Sequence, residues 1–540
     1  MVPVFWHDNA RAHKIRSYFQ AEIDAIAEIY GLRFPDRKIR LMVYAGDEFT
    51  LGVFPAIVVD EVPLQLEQVS AHFIGMVECG APAAGTVTIY VTIPPPPNPA
   101  QLQEVGAVWH PGRWISKYAA VYAPVLFEYG KYRDEMKQRA RRKLVNHWEK
   151  ISRPRSTVVA PNAFRRPPGE MPPAILLALH WLEVGGAESL AFDCVQYARR
   201  AGLRVFVVAD VPALQRKQTL LHGLEDVTFI RLDKYLAPEH WVLYLAGLVA
   251  QENVRAIHIH HCTTLYGCLP HLKYLFPDLL AIDSTHIIEH RDGGFPRISA
   301  VWSPYIDVHH VISRELEAFY RVEFFRTENV RLGRLIKQRE MPEAGFRLQP
   351  GAKSCTVSFV GRLTHQKRPF LVIAIMLRLA RWGERNGVSF GFNVVGEGPY
   401  RQACRTLAGR HRVGGPITFH AADSDVGRIL DGSDILLLAS ANEGLALVCF
   451  EAIRHGAIPV STEVGGQGEL LPPALLTDPE PFACARQSVE IIQKLLTDAV
   501  FNESATAALR ARFIAMAAEP SAAEVIGEIY ANIVAEASVP

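Results

Sequence analysis

The chain has 540 residues, and at about 150 residues per domain that length holds roughly three to four domains. Apolar residues make up 49% of it, enough for ordinary folded cores, which excludes disorder over most of the chain. The 57 Lys and Arg against 56 Asp and Glu leave a formal charge of +1, so no chain-wide field draws in nucleic acid and any anion site has to be local.

In chain order, Ile15, Tyr18, Phe19, Ile23, Ile26 and Ile29 recur at helical spacing before Gly31, and IRLMVYAG, PAIVVDEV and VTIYVTI read as strands. Together they predict an N-terminal α+β domain within residues 1–150. Pro94 to Pro97 interrupt it, and an aromatic and basic stretch follows that carries no catalytic motif. Six aromatics lie within 114–132, and residues 131–155 hold ten Lys and Arg against three Asp and Glu. Two readings stand for this stretch: a packed helix with a solvated basic face, or peripheral contact with an anionic membrane through 114–155. Residues 151–173 carry six prolines in 23 positions, which neither a helix nor a central strand tolerates, and predict a linker.

Past the linker, short unalternating apolar runs such as AILLALHW, RVFVVAD, VRAIHIH and LLAIDST alternate with amphipathic stretches, as buried parallel strands with crossover helices do. This predicts one Rossmann-like domain over 174–335. After Pro350-Gly351 the pattern restarts with CTVSFVGR, FGFNVVG, PITFHAA, DILLLAS and AIPVSTE, predicting a second over 352–518. Residues 519–540 read as a C-terminal helix that either closes this end or crosses back to the first domain. Two such domains place a ligand between them, at the carboxyl ends of their strands.

The start, MVPVFWHDNARAHK, lacks the layout of a secretory signal, and no apolar run reaches the roughly 18 to 20 residues that span a bilayer. The expected location is cytoplasmic, at the inner face of the membrane where the 114–155 stretch binds it. The eight cysteines are scattered through core-like segments with no CxxC pair and read as small buried hydrophobes.

Four segments carry chemistry. Gly185 and Gly186 stand at a strand-to-helix turn, where backbone N–H groups can meet a phosphate. In VGRLTHQKRP (360–369), Arg362 and Lys367 share a short loop ahead of a helix, a pairing suited to a diphosphate. VGEGP (395–399) begins like a dinucleotide fingerprint, but Arg401 stands at the third glycine position. In SDILLLASANEGLALVCFEAIRHG, Glu443 ends a buried strand and Glu451 lies eight residues on; a helix starting near Leu445 lets both carboxylates line one cleft and accept hydroxyl hydrogen bonds.

These segments, in this order, resemble the retaining GT-B glycosyltransferases of the glycosyl transferases group 1 family over about residues 174–535. The shared elements are GGAE (185–188), the VGRL–K–P element, VGEGP, the SD-apolar strand with Ser440, the Glu443/Glu451 pair and VGGQGEL (464–470). The resemblance implies an α/β GT-B architecture of two Rossmann-like domains facing a cleft, with residues 1–170 outside it. It assigns the donor diphosphate to Arg362 and Lys367, with Gly185 and Gly186 across the cleft, the ribose to Glu451, the donor sugar to Glu443, and a position near the reacting carbon to His286 in IDSTHIIE. Two elements depart from the family pattern: RLGRLIK (331–337) stands for an Asn-Gly junction, and Ala446 for a glycine or proline.

The implied activity is transfer of a sugar from a nucleotide sugar to a glycan or lipid-linked acceptor with retention, as in polysaccharide biosynthesis. No cofactor is expected, the nucleotide sugar being a substrate, with a UDP-sugar favoured over a GDP-sugar. No metal is expected, because the cationic loop takes up the charge of the leaving diphosphate. His258, His260 and His261 suggest a metal cluster, but strand alternation points 261 away from the other two, and the sequence shows no Cys/His/Asp set to complete a tetrahedron. Asp423 and Asp425 read as helix caps rather than metal ligands. A GT-B phosphorylase and a catalytically silent nucleotide-sugar-binding scaffold are the alternatives; no nucleic-acid partner is expected.

Overall fold

The computed structural model describes residues 4–6, 16–34, 37–45, 56–59, 73–80, 85–93, 123–141, 171–183, 186–211, 215–221, 223–230, 232, 241–289, 293–325, 328–336, 345–410 and 417–537. Most of the proline-rich linker and Gly185 lie outside them.

Near the N-terminus, strands β1 (Val4–Trp6), β2 (Lys38–Ala45), β3 (Ala56–Val59), β4 (Phe73–Cys79) and β5 (Thr86–Ile93) form a mixed sheet in the order β1-β4-β2-β5-β3. Helix α1 (Arg16–Arg33) covers one face with Ile23, Ile26, Ile29 and Tyr30, and runs through Gly31 instead of stopping before it. These side chains belong to one apolar core with Trp241, Leu245 and Leu248 of the next domain. The described residues of the 1–150 extension pack on both of the domains that follow. Helix α2 (Pro124–Arg141) packs on two helices of the second Rossmann-like domain, Pro369–Asn386 and Pro481–Thr497.

The middle sheet has seven parallel strands in the order β12-β11-β10-β9-β6-β7-β8, with β6 at Ala174–Leu179, β7 Arg204–Ala209, β8 Val227–Ile230, β9 Val254–His260, β10 Leu280–Thr285, β11 Val308–Val311 and β12 Val330–Leu332. Every residue of β6 is buried, as the unalternating run AILLAL requires of a strand covered on both faces. Its helices include α3 (Gly186–Ala201), α4 (Trp241–Gln251), α5 (Thr263–Leu275), α6 (Gly294–Trp302) and α7 (Arg314–Phe324).

The third sheet is also parallel, β15-β14-β13-β16-β17-β18, with β13 at Ser354–Val360, β14 Ser389–Val395, β15 Ile417–His420, β16 Ile435–Leu438, β17 Ile458–Thr462 and β18 Leu476–Thr477. Around it stand α8 (Pro369–Asn386), α9 (Arg401–Arg410), α10 (Val426–Asp431), α11 (Leu447–Arg454), α12 (Gln467–Leu470), α13 (Pro481–Thr497) and α14 (Ala499–Ala517). The last helix, α15 (Ala522–Ala537), crosses back to the middle sheet, where Ile526, Tyr530 and Ile533 pack into the core under α3 and β9.

Strand order reverses between β6 and β9 in the middle sheet and between β13 and β16 in the third. At such switch points neighbouring loops leave in opposite directions and open a crevice beyond the strand ends. His180 follows β6, His261 follows β9, the loop 361–368 follows β13, and the segment 439–446 follows β16.

Candidate functional site

The loop after β13 is held against the end of β14. Gly361 N donates to Val395 O at 3.0 Å and Leu363 N to Glu397 O at 2.8 Å. A Cβ on Gly396 would collide with the Gly361 carbonyl, and one on Gly398 would stand 2.6 Å from the Leu363 carbonyl. The glycines of VGEGP thus serve this close approach of two loops. Arg401, at the position where a dinucleotide fingerprint has glycine, donates to Gly396 O at 2.8 Å and His420 O at 3.1 Å.

The chain then makes a single turn, His365–Lys367, and enters α8 through Arg368, which is left-handed at φ 45°. Lys367 Nζ makes an ion pair with Glu443, both side chains largely covered; β16 stops at Leu438, so Glu443 stands in the loop after the strand and does not end it as expected. Arg362 is exposed on the same loop. The two cations expected to share a diphosphate therefore stand in unlike surroundings, and the carboxylate expected at the sugar is the counter-ion of one of them. Glu451 sits on α11, whose N-cap is Ala446, one residue from the predicted start. It is exposed, and it shares an electrostatic field with Glu443 and Lys367 at Cys449, whose thiol burial, aided by Glu443, pushes up to about 12.

On the facing domain, Gly186 opens α3. Glu188, in its first turn, accepts a hydrogen bond from Trp181 Nε1 at 2.6 Å and lies 3.4 Å from His180 Nε2. His261 takes a left-handed backbone at φ 62° and stacks on Phe295 with ring centroids 4.1 Å apart. Its ring lies 5.1 Å from that of His286, and His260 lies 6.4 Å from it. Neither ring nitrogen of His286 or His260 has a hydrogen-bond partner within the protein. Burial, then His310 and His180, pull the His286 pKa down to about 3, so the ring is neutral near pH 7. Unsatisfied buried imidazoles beside a left-handed residue, His261, are a feature of sites that await a polar ligand. The motif HIHH at 258–261 was the sequence signal for them, but it raised the question of a metal.

The two domains meet at this point. A Cβ on Gly444 would collide with the carbonyl of His286, and Asn442 Nδ2 donates to Ile288 O at 2.9 Å. Gly466 N, in VGGQGEL, donates to Gly444 O at 2.6 Å. Glu469 of the same motif accepts from the backbone N–H groups of Arg314 and Glu315, each at 3.1 Å, at the start of α7. RLGRLIK places Arg334 in the junction, 2% exposed, with Glu469 at 2.6 Å and Glu519 at 2.5 Å. The structure thus pairs Lys367 with Glu443 and sets the backbone of His286 against Gly444, the neighbour of Glu443, while Arg362 and Glu451 are exposed on the second domain.

Two of the three histidines have a thiol beside them. Cys194, His258 and His260 place one ligand atom each within 4.8 Å of the others, because α3 carries the thiol under β9 from 64 residues upstream. Yet His258 already binds Tyr530 Oη at 2.6 Å and Ser284 Oγ at 2.8 Å through its two nitrogens. Burial raises the Cys194 thiol far above its ordinary value, which opposes a thiolate ligand. Asp425 caps α10, its Oδ1 accepting from Arg428 N at 3.0 Å. Seven of the eight cysteines are buried and all eight are free.

Residues 343–517 match the family described as Glycosyl transferases group 1. A 112-residue segment is 33% identical to a glycogen synthase of Thermodesulfovibrio yellowstonii, covering 20% of this chain and 21% of that one. A 150-residue segment is 31% identical to the glycogen synthase of Bordetella parapertussis, covering 27% and 28%. The matches therefore span only 21% to 28% of those relatives. Among solved structures, a sucrose-phosphate synthase from Thermosynechococcus elongatus superposes with a TM-score of 0.52 at 19% identity, over 68% of this chain and 100% of the other. Residues 343–517 are thus similar to the glycosyl transferases group 1 family, and the chain has a GT-B fold.

Proposed function

We propose that the protein is a metal-independent hexosyltransferase that moves a sugar from a nucleotide sugar, a UDP-sugar before a GDP-sugar, to a glycan or lipid-linked acceptor with retention. The observation that carries this reading is the Lys367–Glu443 pair beside the cleft, opposite His286 at a point of backbone contact between the domains. Two of the relatives are named glycogen synthase, which fits a glycan acceptor.

In this reading the donor diphosphate reaches Lys367 and Arg362, and the start of α3 at Gly185 and Gly186 supports it from the other domain. Lys367 then has two anions to bridge, and Glu443 is free to accept hydroxyl hydrogen bonds from the donor sugar. Neutral His286 offers one donor and one acceptor nitrogen near the anomeric carbon. Glu451 accepts from the ribose. As the sugar–phosphate bond breaks, the cations of the loop stabilise the charge that gathers on the departing diphosphate.

The test is turnover of a panel of nucleotide sugars with glycan and lipid-linked acceptors, with EDTA added in parallel. Transfer with the anomeric configuration kept, at a rate EDTA leaves unchanged, supports the reading. Sugar 1-phosphate released by inorganic phosphate makes the protein a phosphorylase, and binding without turnover makes it a scaffold. The Lys367→Ala variant should bind the nucleoside diphosphate about ten- to a hundredfold more weakly, the value of one charge-assisted hydrogen bond. Unchanged affinity removes the loop from the site.

A further inference from the structure

The extension helix α2 grips the loop that carries Arg362 and Lys367. Glu128 is fully buried, and its Oε2 lies 3.3 Å from His365 Nδ1, while Glu135 Oε1 lies 3.0 Å from His365 Nε2. Two turns apart on the helix, the two carboxylates hold opposite sides of one imidazole. Arg368, 1% exposed, also faces Glu128, stands over the ring of Tyr132 and donates to Pro479 O at 2.6 Å. Lys131 Nζ donates to Tyr400 Oη at 2.8 Å, in the turn that follows VGEGP. Phe127 meets Phe370, in the first turn of α8, edge to face at 5.8 Å.

Burying a carboxylate is costly unless cations compensate it, so Glu128 fixes the helix and the loop to each other. Burial works against charge on His365, but Glu128 and Glu135 outweigh it and hold its pKa above the ordinary imidazole value, against the nearby charge of Lys131. In the single turn 365–367, His365 is held by the extension while Lys367, two residues on, reaches Glu443 in the cleft. The backbone that aims Lys367 is thus fastened from behind.

We infer that Glu128 and Glu135 are positioning residues for nucleoside-diphosphate binding, acting through His365 on the Arg362–Lys367 loop, so that the N-terminal extension is a working part of the donor site. This rests on the proposed function. A preorganised loop loses less conformational freedom when its ligand arrives, so loosening it weakens binding of the diphosphate without altering the chemistry that follows.

The test uses the full chain and the variants Glu135→Gln, Glu128→Gln and His365→Gln, with UDP, GDP and ADP as probes in titration calorimetry and with the nucleotide sugar in steady-state kinetics. Each variant should bind the diphosphate about three- to tenfold more weakly, with KM for the donor raised to match and kcat unchanged. Hydrogen exchange should quicken at 361–368 and stay as in wild type in the middle sheet. Glu135→Gln, partly exposed, keeps the test valid where Glu128→Gln fails to fold. Diphosphate affinity and loop exchange unchanged in folded Glu135→Gln and His365→Gln overturn the inference alone. A wild type that binds none of the three diphosphates overturns the proposed function and this inference with it.

Discussion

Gly444 of the second domain and His286 of the first meet so closely that the His286 carbonyl occupies the space a side chain on residue 444 would need. This contact joins the loop after β10 to the loop after β16 and seats Glu443, the neighbour of Gly444, beside the cleft. Gly444→Ala should therefore push the two loops apart. The expected result is a folded protein with transfer activity lowered about a hundredfold, the usual effect of a displacement near 1 Å at a reacting centre. Steady-state kinetics beside circular dichroism checks it, and full activity would show that the contact yields without consequence.

Arg334 lies in the junction between domains, with Glu469 and Glu519 on its guanidinium and Ile312 O at 3.2 Å. Arg334→Ala leaves two carboxylates facing each other without their buried cation, a change that costs about 3–5 kcal/mol where such pairs are broken. Urea unfolding should show a loss in that range, with a smaller loss for Arg334→Lys, which keeps the charge but not the fork. A change within experimental scatter for Arg334→Ala would mean that water replaces the arginine.

Acid should unfold the protein early. Burial is the first cause that takes His310 down to about 4 and His286 to about 3 from an ordinary 6.5. Such groups contribute stability that is complete above pH 6.5 and is lost as pH falls toward those values, because the unfolded chain takes up protons that the folded one refuses. Each contributes a slope of about 1.4 kcal/mol per pH unit within that window. His365 has the opposite sign, adding stability below pH 6.5 that is lost as pH rises through its raised value. Urea midpoints between pH 7.5 and 4.5 test this, and a flat profile below pH 6.5 contradicts it.

Membrane contact through 114–155 takes a narrower form once α2 is placed. Phe127 packs on Phe370, Tyr129 on Phe482, and Tyr132 beneath Arg368, so these three rings are engaged with protein. Trp114, Tyr118 and Tyr122 lie outside the described residues, and the proposal that remains is adsorption through them and through the basic residues that follow. Sedimentation with anionic vesicles should show binding at low salt that is lost near 0.5 M salt, as expected when the Debye length falls to roughly 4 Å, and none to neutral vesicles. No binding at low salt ends the proposal.

Local sequence by itself was sufficient for the two parallel sheets, because strands buried on both faces are written as unbroken apolar runs such as AILLAL and DILLL, and for the loops that follow them, because each glycine and charged residue there sits within a few positions of its strand. It was also sufficient for Asp425 as a cap, a contact spanning three residues. It failed at VHHV (308–311), where two histidines hide a strand; they are core because Asp283, Ser299 and Ser303 bind His309 and Ser284 binds His310. Only tertiary structure decided that Lys367 pairs with Glu443, that Cys194 lies beside His258, that α15 returns to β9, and that Glu128 belongs to the loop after β13. Those pairings join residues 64 to 272 positions apart, and partners at such separations are chosen by the packing of whole elements, which neither periodicity nor spacing along the chain encodes.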